Sequence, residues 1–219
     1  MSLFSDEILK KGEIKKFIQY YAKGDNWHKL DEKRGGLGYC WLHYSIIRLL
    51  RPERVLCVGS RYGLVPAVCA LACKDNQKGK VDFVDAGFDM QEYSGPGEHW
   101  GGVGFWKKCK PEKYFSKFGL EKYIELHVMK SENFAKRYPK TRYGFVHIDG
   151  DHSYGGVKLD FELFWPRVKK NGFLAIHDIG SPDKDGNIYG TRKFWKEIRK
   201  IYSVIQFPED PGVGIIQKF

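Results

Sequence analysis

The spacing of hydrophobic positions changes along the chain, and each change predicts an element. Over residues 5–24, Ile8, Leu9, Ile14, Phe17, Ile18 and Tyr21 recur at close to helical spacing, which predicts a helix with one buried stripe. Ser5, followed by Asp6 and Glu7, suits the start of that helix. The polar, glycine-bearing stretch KGDNWHKLDEKRGGLGY predicts irregular chain. YCWLHYSIIRLL (39–50) resumes the helical pattern and stops at Arg51-Pro52, where proline disfavours continuation. Beyond it, short apolar runs alternate with helical ones. RVLCVG, KVDFVDA, YIELHVM, YGFVHID, GFLAIHD and GVGIIQKF read as strands. LVPAVCALACK, residues 111–119, SENFAKRY, residues 154–168 and residues 191–201 read as helices. Pro66 is tolerable only in the first turn of its helix.

Apolar strands alternating with helices of this length predict a parallel sheet covered on both faces. The expected fold class is α/β: a three-layer Rossmann-like sandwich with a mostly parallel seven-stranded sheet and helices on both faces. Residues 1–50 are expected to form a helical cap on a Rossmann-like domain spanning 51–219, the whole being one compact domain.

Composition narrows the function classes. No apolar run approaches the ~20 residues that a membrane-spanning helix needs. The acids and lysines of MSLFSDEILKKGE come too early for a signal peptide. The five cysteines, Cys40, Cys57, Cys69, Cys73 and Cys109, are odd in number and show no CxxC pair, which fits a reducing compartment. A soluble, cytoplasmic protein is the expectation. Lys and Arg exceed Asp and Glu by ten, but the lysines scatter along helices, so the excess reads as a solvated surface before it reads as a nucleic-acid footprint.

Candidate chemistry gathers at the ends of the predicted strands, where open α/β sheets bind ligands. VLCVGSRYG carries Gly59 and Gly63 between a strand and a helix; glycine admits close backbone approach, and a helix start offers free N–H groups. KVDFVDA ends on Asp85, placed to accept hydrogen bonds from a ribose diol. FVHIDGDHSYGG puts Asp149, Asp151 and His152 within four positions, and LAIHDI puts His177 and Asp178 at the end of the next strand. Asp151 or Ser153 also suits the cap of the helix starting near Tyr154.

These segments, with ELHVMKSENFA, FVHIDGDHSYGGVKLDFELFWPRVKKNGFLAIHDI and GVGIIQKF, resemble the successive motifs of class I S-adenosylmethionine-dependent methyltransferases over roughly residues 40–219. They are most similar to the small-molecule O-methyltransferase branch that includes catechol-type, macrolide-sugar and cephalosporin hydroxylase-like proteins. The resemblance implies that Gly59, Ser60, Arg61 and Gly63 line the methionine part of S-adenosyl-L-methionine, that Asp85 holds its ribose, and that Ser131 and Glu132 lie near its adenine. It further implies that Asp149, also a cofactor neighbour, shares a divalent cation with His177 and Asp178, and that His152 is the catalytic base beside Asp149. The family's usual acid stands where this chain has Cys57. His177 replaces an acid or amide, which shifts the expected ion from magnesium toward manganese or another transition ion.

The expected acceptor is a small molecule with an aromatic or sugar hydroxyl. The walls of its site are sought in Trp27, His28, Tyr39 and Trp41, and in Trp100, Phe105 and Trp106, whose other reading is that they plug their loop onto the core. DKDGN (183–187) reads as a turn, since it lacks the spacing of a calcium loop. An RNA or protein methyltransferase is one alternative, set back by IDGDH where a base-methylating enzyme has an NPPY-type turn; a non-catalytic cofactor-binding relative is another. No membrane partner is expected, and a homo-oligomer stays open.

Overall fold

The computed structural model describes residues 11–88, 104–181 and 190–219. The predicted helix start at Ser5 to Leu9, Trp100 and the DKDGN turn lie outside them.

Seven strands form one sheet in the order β3-β2-β1-β4-β5-β7-β6. β1 (Arg54–Val58), β2 (Lys80–Asp85), β3 (Ile124–Val128), β4 (Tyr143–Ile148) and β5 (Val168–His177) run parallel. β7 (Val213–Gln217) pairs antiparallel to both β5 and the edge strand β6 (Val204–Phe207). The chain order reverses direction at β1/β4, the switch point at which such sheets open a crevice.

The strands alternate their side chains between two cores. Val55, Cys57, Val81, Phe83, Phe145 and Ala175 face α1 (Lys11–Ala22), α2 (Cys40–Leu50), α3 (Leu64–Asp75) and α5 (Pro111–Ser116). Leu56, Val58, Val84, Val146, Ile148, Leu174 and Ile176 face α6 (Ser131–Arg137), α7 (Tyr154–Phe164) and α8 (Thr191–Ile198). The buried stripe of α1, Ile14, Phe17, Ile18 and Tyr21, is continuous with the first core. Cys57, Cys69 and Cys73 are fully buried there, and all five cysteines are free thiols.

Two helix ends and two short elements differ from the sequence expectation. The helix expected over 154–168 ends at Phe164, because Pro166 cannot continue it; a 3-10 turn at Trp165–Arg167 follows, and β5 starts at Val168. The last predicted helix stops at Ile198. β6 carries no strand prediction: it is four residues long and exposes Ile205 and Phe207, so no buried face marks it. Phe105–Lys108, between the second predicted strand and the helix predicted over 111–119, forms one helical turn, α4. No described helix is long and apolar enough to cross a membrane.

Candidate active site

Gly59 and Gly63 bracket the turn from β1 into α3, both at positive φ (75° and 86°). Any side chain at Gly59 would strike the backbone carbonyl of Asp149, so the glycine lets the ends of β1 and β4 touch. A Cβ at Gly63 would come within 3.0 Å of the Trp106 ring, whose Nε1–H donates to the Ser60 carbonyl at 2.9 Å. Trp106 is buried against Phe83 and Phe115, so it is the plug of its loop and not an exposed wall.

Asp85, at the end of β2, accepts from the N–H groups of Ser60 (3.2 Å) and Gly87 (2.8 Å). Burial outweighs those bonds and pushes its carboxyl up to about 6. Arg61 reaches Asp25 of the segment after α1 at 3.3 Å, and its buried Nε has no hydrogen-bond partner. Ser131 and Glu132 open α6 at the end of β3. Beneath them Asp160 of α7 is buried, which pushes its carboxyl up to about 7 despite a bond from Ser131. Ser153 caps α7 by accepting from the Gly156 N–H at 3.0 Å, while Asp151 accepts from the Ser153 N–H at 2.8 Å; Asp151 is therefore a turn residue.

β4 and β5 bring the remaining candidates together. The register Ile148↔Ile176, carried one residue on, sets Asp149 beside His177. His177 Nδ1 lies 3.2 Å from both Asp149 Oδ1 and Asp178 Oδ1. His152 Nε2 lies 3.4 Å from Asp149 Oδ1 and 3.1 Å from Asp178 Oδ2. Donor atoms of Asp149, His152 and Asp178 all fall within 4.8 Å of one another, so His152 shares one candidate cation cluster with the two carboxylates. Burial works against charge on His177, yet Asp178 and Asp149 raise it well above the ordinary imidazole value. Burial likewise opposes charge on His152, and Asp178 and Asp149 raise it too. Burial would raise the Asp149 carboxyl, but His177, His147 and His152 hold it well below the usual range. This is a cluster organised around positive charge.

Two histidines that the sequence does not mark as site residues join the cluster, and His28 joins them from its predicted wall. His147, two residues before Asp149 and so on the same face of β4, points its Nε2 at Asp149 Oδ2 from 3.8 Å. His43 of α2 meets His147 Nδ1 at 3.0 Å. His28, a predicted wall residue, stacks on His177 with ring centroids 4.3 Å apart, and the neighbouring Trp27 carbonyl accepts from His177 Nε2 at 3.0 Å. The segment after α1 thus lies directly on the cluster. Two signals were available: the period-2 pairing of His147 with Asp149, and a histidine on the apolar stripe of α2. A separate group, Asp82, Glu125 and His127, is tied up by Arg54 (3.3 Å) and Lys80 (2.7 Å). A cavity of about 430 Å³ lined by Tyr20, Lys23, Phe105, Lys108, Cys109 and Tyr114 includes none of the strand-end residues.

A sheet in this order, with a glycine turn after β1, an acid ending β2 and acids ending β4 and β5, defines the class I methyltransferase fold. Residues 56–179 match the family model described as a methyltransferase domain, and the chain belongs to that family. The fold is shared with the O-methyltransferase TomG from Streptomyces achromogenes, solved with S-adenosylmethionine (TM-score 0.64, 14% identity, covering 99% of this chain and 92% of that one). It is shared with an O-methyltransferase from Bacillus cereus in complex with S-adenosylhomocysteine (0.63, 12%, 95% and 92%). The S-adenosylhomocysteine-bound methyltransferase PaMTH1 of Podospora anserina is also similar (0.60, 14%, 99% and 89%). Among curated proteins, the uncharacterized protein y4gI of Sinorhizobium fredii is 22% identical over 186 residues, which are 80% of this chain and 19% of that protein. The chain therefore spans about a fifth of the length of this relative.

Proposed function

We propose that the protein transfers the methyl group of S-adenosylmethionine to a hydroxyl of a small molecule, with His152 as the base. The observation that carries this reading is the convergence of Asp149, His152, His177 and Asp178 at the ends of β4 and β5, beside the Gly59 turn and Asp85.

Asp85 accepts the ribose hydroxyls, each carboxylate oxygen keeping a lone pair besides the one its backbone donor uses. The adenine lies toward Ser131 and Glu132. Arg61 and Asp25 together complement a zwitterionic amino-acid end, the carboxylate going to the unpartnered Arg61 Nε and the ammonium to Asp25. In the reaction the acceptor oxygen attacks the methyl carbon in line, the carbon–sulfur bond breaks toward sulfur, and the hydroxyl proton passes to the His152 ring at Nδ1, its Nε2 hydrogen being held toward Asp149 and Asp178. Asp149 and Asp178 orient that ring through the two contacts at its Nε2 side. The site also fits a divalent cation: Asp149 and Asp178, which cluster with His152, would hold it together with His177, whose Nδ1 lies 3.2 Å from both, and it would lower the acceptor's pKa as a Lewis acid. Trp27, Tyr39 and the backbone around His28 contribute the acceptor's outer wall.

His152→Ala is expected to reduce turnover by ~100-fold or more while leaving S-adenosylhomocysteine affinity unchanged. Single-turnover kinetics and calorimetry on the same preparation check it; retained turnover removes His152 as the base.

A further inference from the structure

The hydrogen bonds behind the carboxylates decide where the imidazole lone pairs point. The Tyr39 carbonyl can only accept, so His43 Nδ1, 3.1 Å away, carries its hydrogen. As a buried neutral ring, His43 has a bare Nε2, which accepts from His147 Nδ1–H. His147, fully buried and giving its Nδ1 hydrogen to His43, is left with a bare Nε2. That atom faces Asp149 Oδ2 at 3.8 Å, too far for a hydrogen bond, and has no partner. At His177 the Trp27 carbonyl takes the Nε2 hydrogen, and Nδ1 is turned to Asp149 and Asp178 with neither oxygen in line for a hydrogen bond.

Two buried nitrogens are therefore aimed at carboxylate oxygens, each with its opposite nitrogen fixed by an acceptor chain ending on a backbone carbonyl. A partnerless buried nitrogen costs about 1–3 kcal/mol. A carbonyl or carboxylate on the far nitrogen is the usual support of a metal-bound histidine. The spans of 3.2 and 3.8 Å match those between two ligand atoms of one ion, each roughly 2.1 Å from it.

We infer that His147 Nε2 and His177 Nδ1 are ligands of the strand-end cation, with His43 as the residue that sets the His147 tautomer, and that this nitrogen-rich set selects a transition-metal ion over magnesium. The inference rests on the proposed reading of this site and adds to it two residues, the ligand His147 and its positioning partner His43. Asp149 becomes the central ligand, with one oxygen toward each histidine. His43 touches neither ion nor substrate; it is a positioning residue, and its removal frees His147 to turn its N–H toward Asp149.

The test uses full-length protein stripped with chelator, in a His127→Gln background that removes the imidazole of the separate Asp82–Glu125 group. Mn²⁺ is added, and electron spin-echo modulation reads ¹⁴N coupling to the ion; competition calorimetry compares Zn²⁺ and Co²⁺ with Mg²⁺. The expected result is imidazole coupling, Zn²⁺ and Co²⁺ binding about 100-fold or more tighter than Mg²⁺, and a loss of about 10–100-fold in Zn²⁺ affinity in His43→Leu. If His43→Leu fails to fold, ¹⁵N chemical shifts of the histidines in the unsubstituted core read the tautomers directly: a protonated His147 Nε2 overturns the inference. Oxygen-only coordination, equal affinity for Mg²⁺, or no ion binding also overturns it. S-Adenosylhomocysteine binding is measured on each sample. Nitrogen coupling without nucleoside binding keeps this inference and sinks the methyl-transfer reading; nucleoside binding without nitrogen coupling does the reverse.

Discussion

Asp85, half-buried, and Asp160, fully buried, are desolvated carboxyls with opposite consequences. Asp85 is raised to about 6 by burial, and the proposed ribose contact wants its ionised form. S-Adenosylhomocysteine affinity is therefore expected to fall as pH drops through about 6, and Asp85→Asn should bind weakly with a flat profile between pH 5 and 8. Calorimetry across that range checks it; a flat profile in the unsubstituted protein removes Asp85 from the ribose. Asp160 does not face the proposed chemistry, and its effect is on stability. Its carboxyl is raised to about 7 in the fold and stands near 3.9 when unfolded, so the folded state holds the extra proton between those values. The associated stability is complete below about pH 4 and is lost as pH rises through about 7. Asp160→Asn should then be the more stable form at pH 8, by on the order of 3 kcal/mol, and lose that advantage at pH 4. Denaturant melts at the two pH values decide it; equal stabilities at pH 8 contradict it.

At the scale of elements, the site depends on how β4, β5 and β7 are packed. Gly214 of β7 lies under the Trp195 indole of α8, and a Cβ there would enter the ring. Gly214→Val should push α8 off the sheet and cost about 2–4 kcal/mol through overpacking and lost burial of Trp195. Thermal melts check it, and a Tm within a degree or two of the parent's contradicts it. Elements were legible in the sequence where burial left a mark. The continuous apolar runs of β1, β2, β4 and β5 and the glycine turn after β1 could be read directly because both faces of these strands are buried. β6 was not, since a four-residue edge strand with one exposed face has little burial to enforce a pattern. The residues that come from one strand end, Asp149 with His152 and His177 with Asp178, were legible as neighbours in sequence. His43 was not, because its meeting with His147 is made by packing α2 on the sheet and no local spacing encodes it. Nor could the sequence choose Trp106 as a plug, since only the fold brings its ring onto Gly63.

At the scale of the molecule, the excess of ten basic residues is set apart from the chemistry, whose centre is a cluster of carboxylates and imidazoles. The segment after α1 meets that cluster through the Trp27 carbonyl and the His28 ring, and meets the turn after β1 through Asp25. The proposed chemistry requires a nucleoside cofactor lying across the ends of β1 and β2. The most direct test is calorimetric titration of S-adenosylmethionine and S-adenosylhomocysteine into the full-length protein, with and without divalent ions. Binding on the order of micromolar strength is expected, reduced at least tenfold in Asp85→Ala and little changed by chelation. Absence of binding by either compound under all conditions contradicts the proposed chemistry.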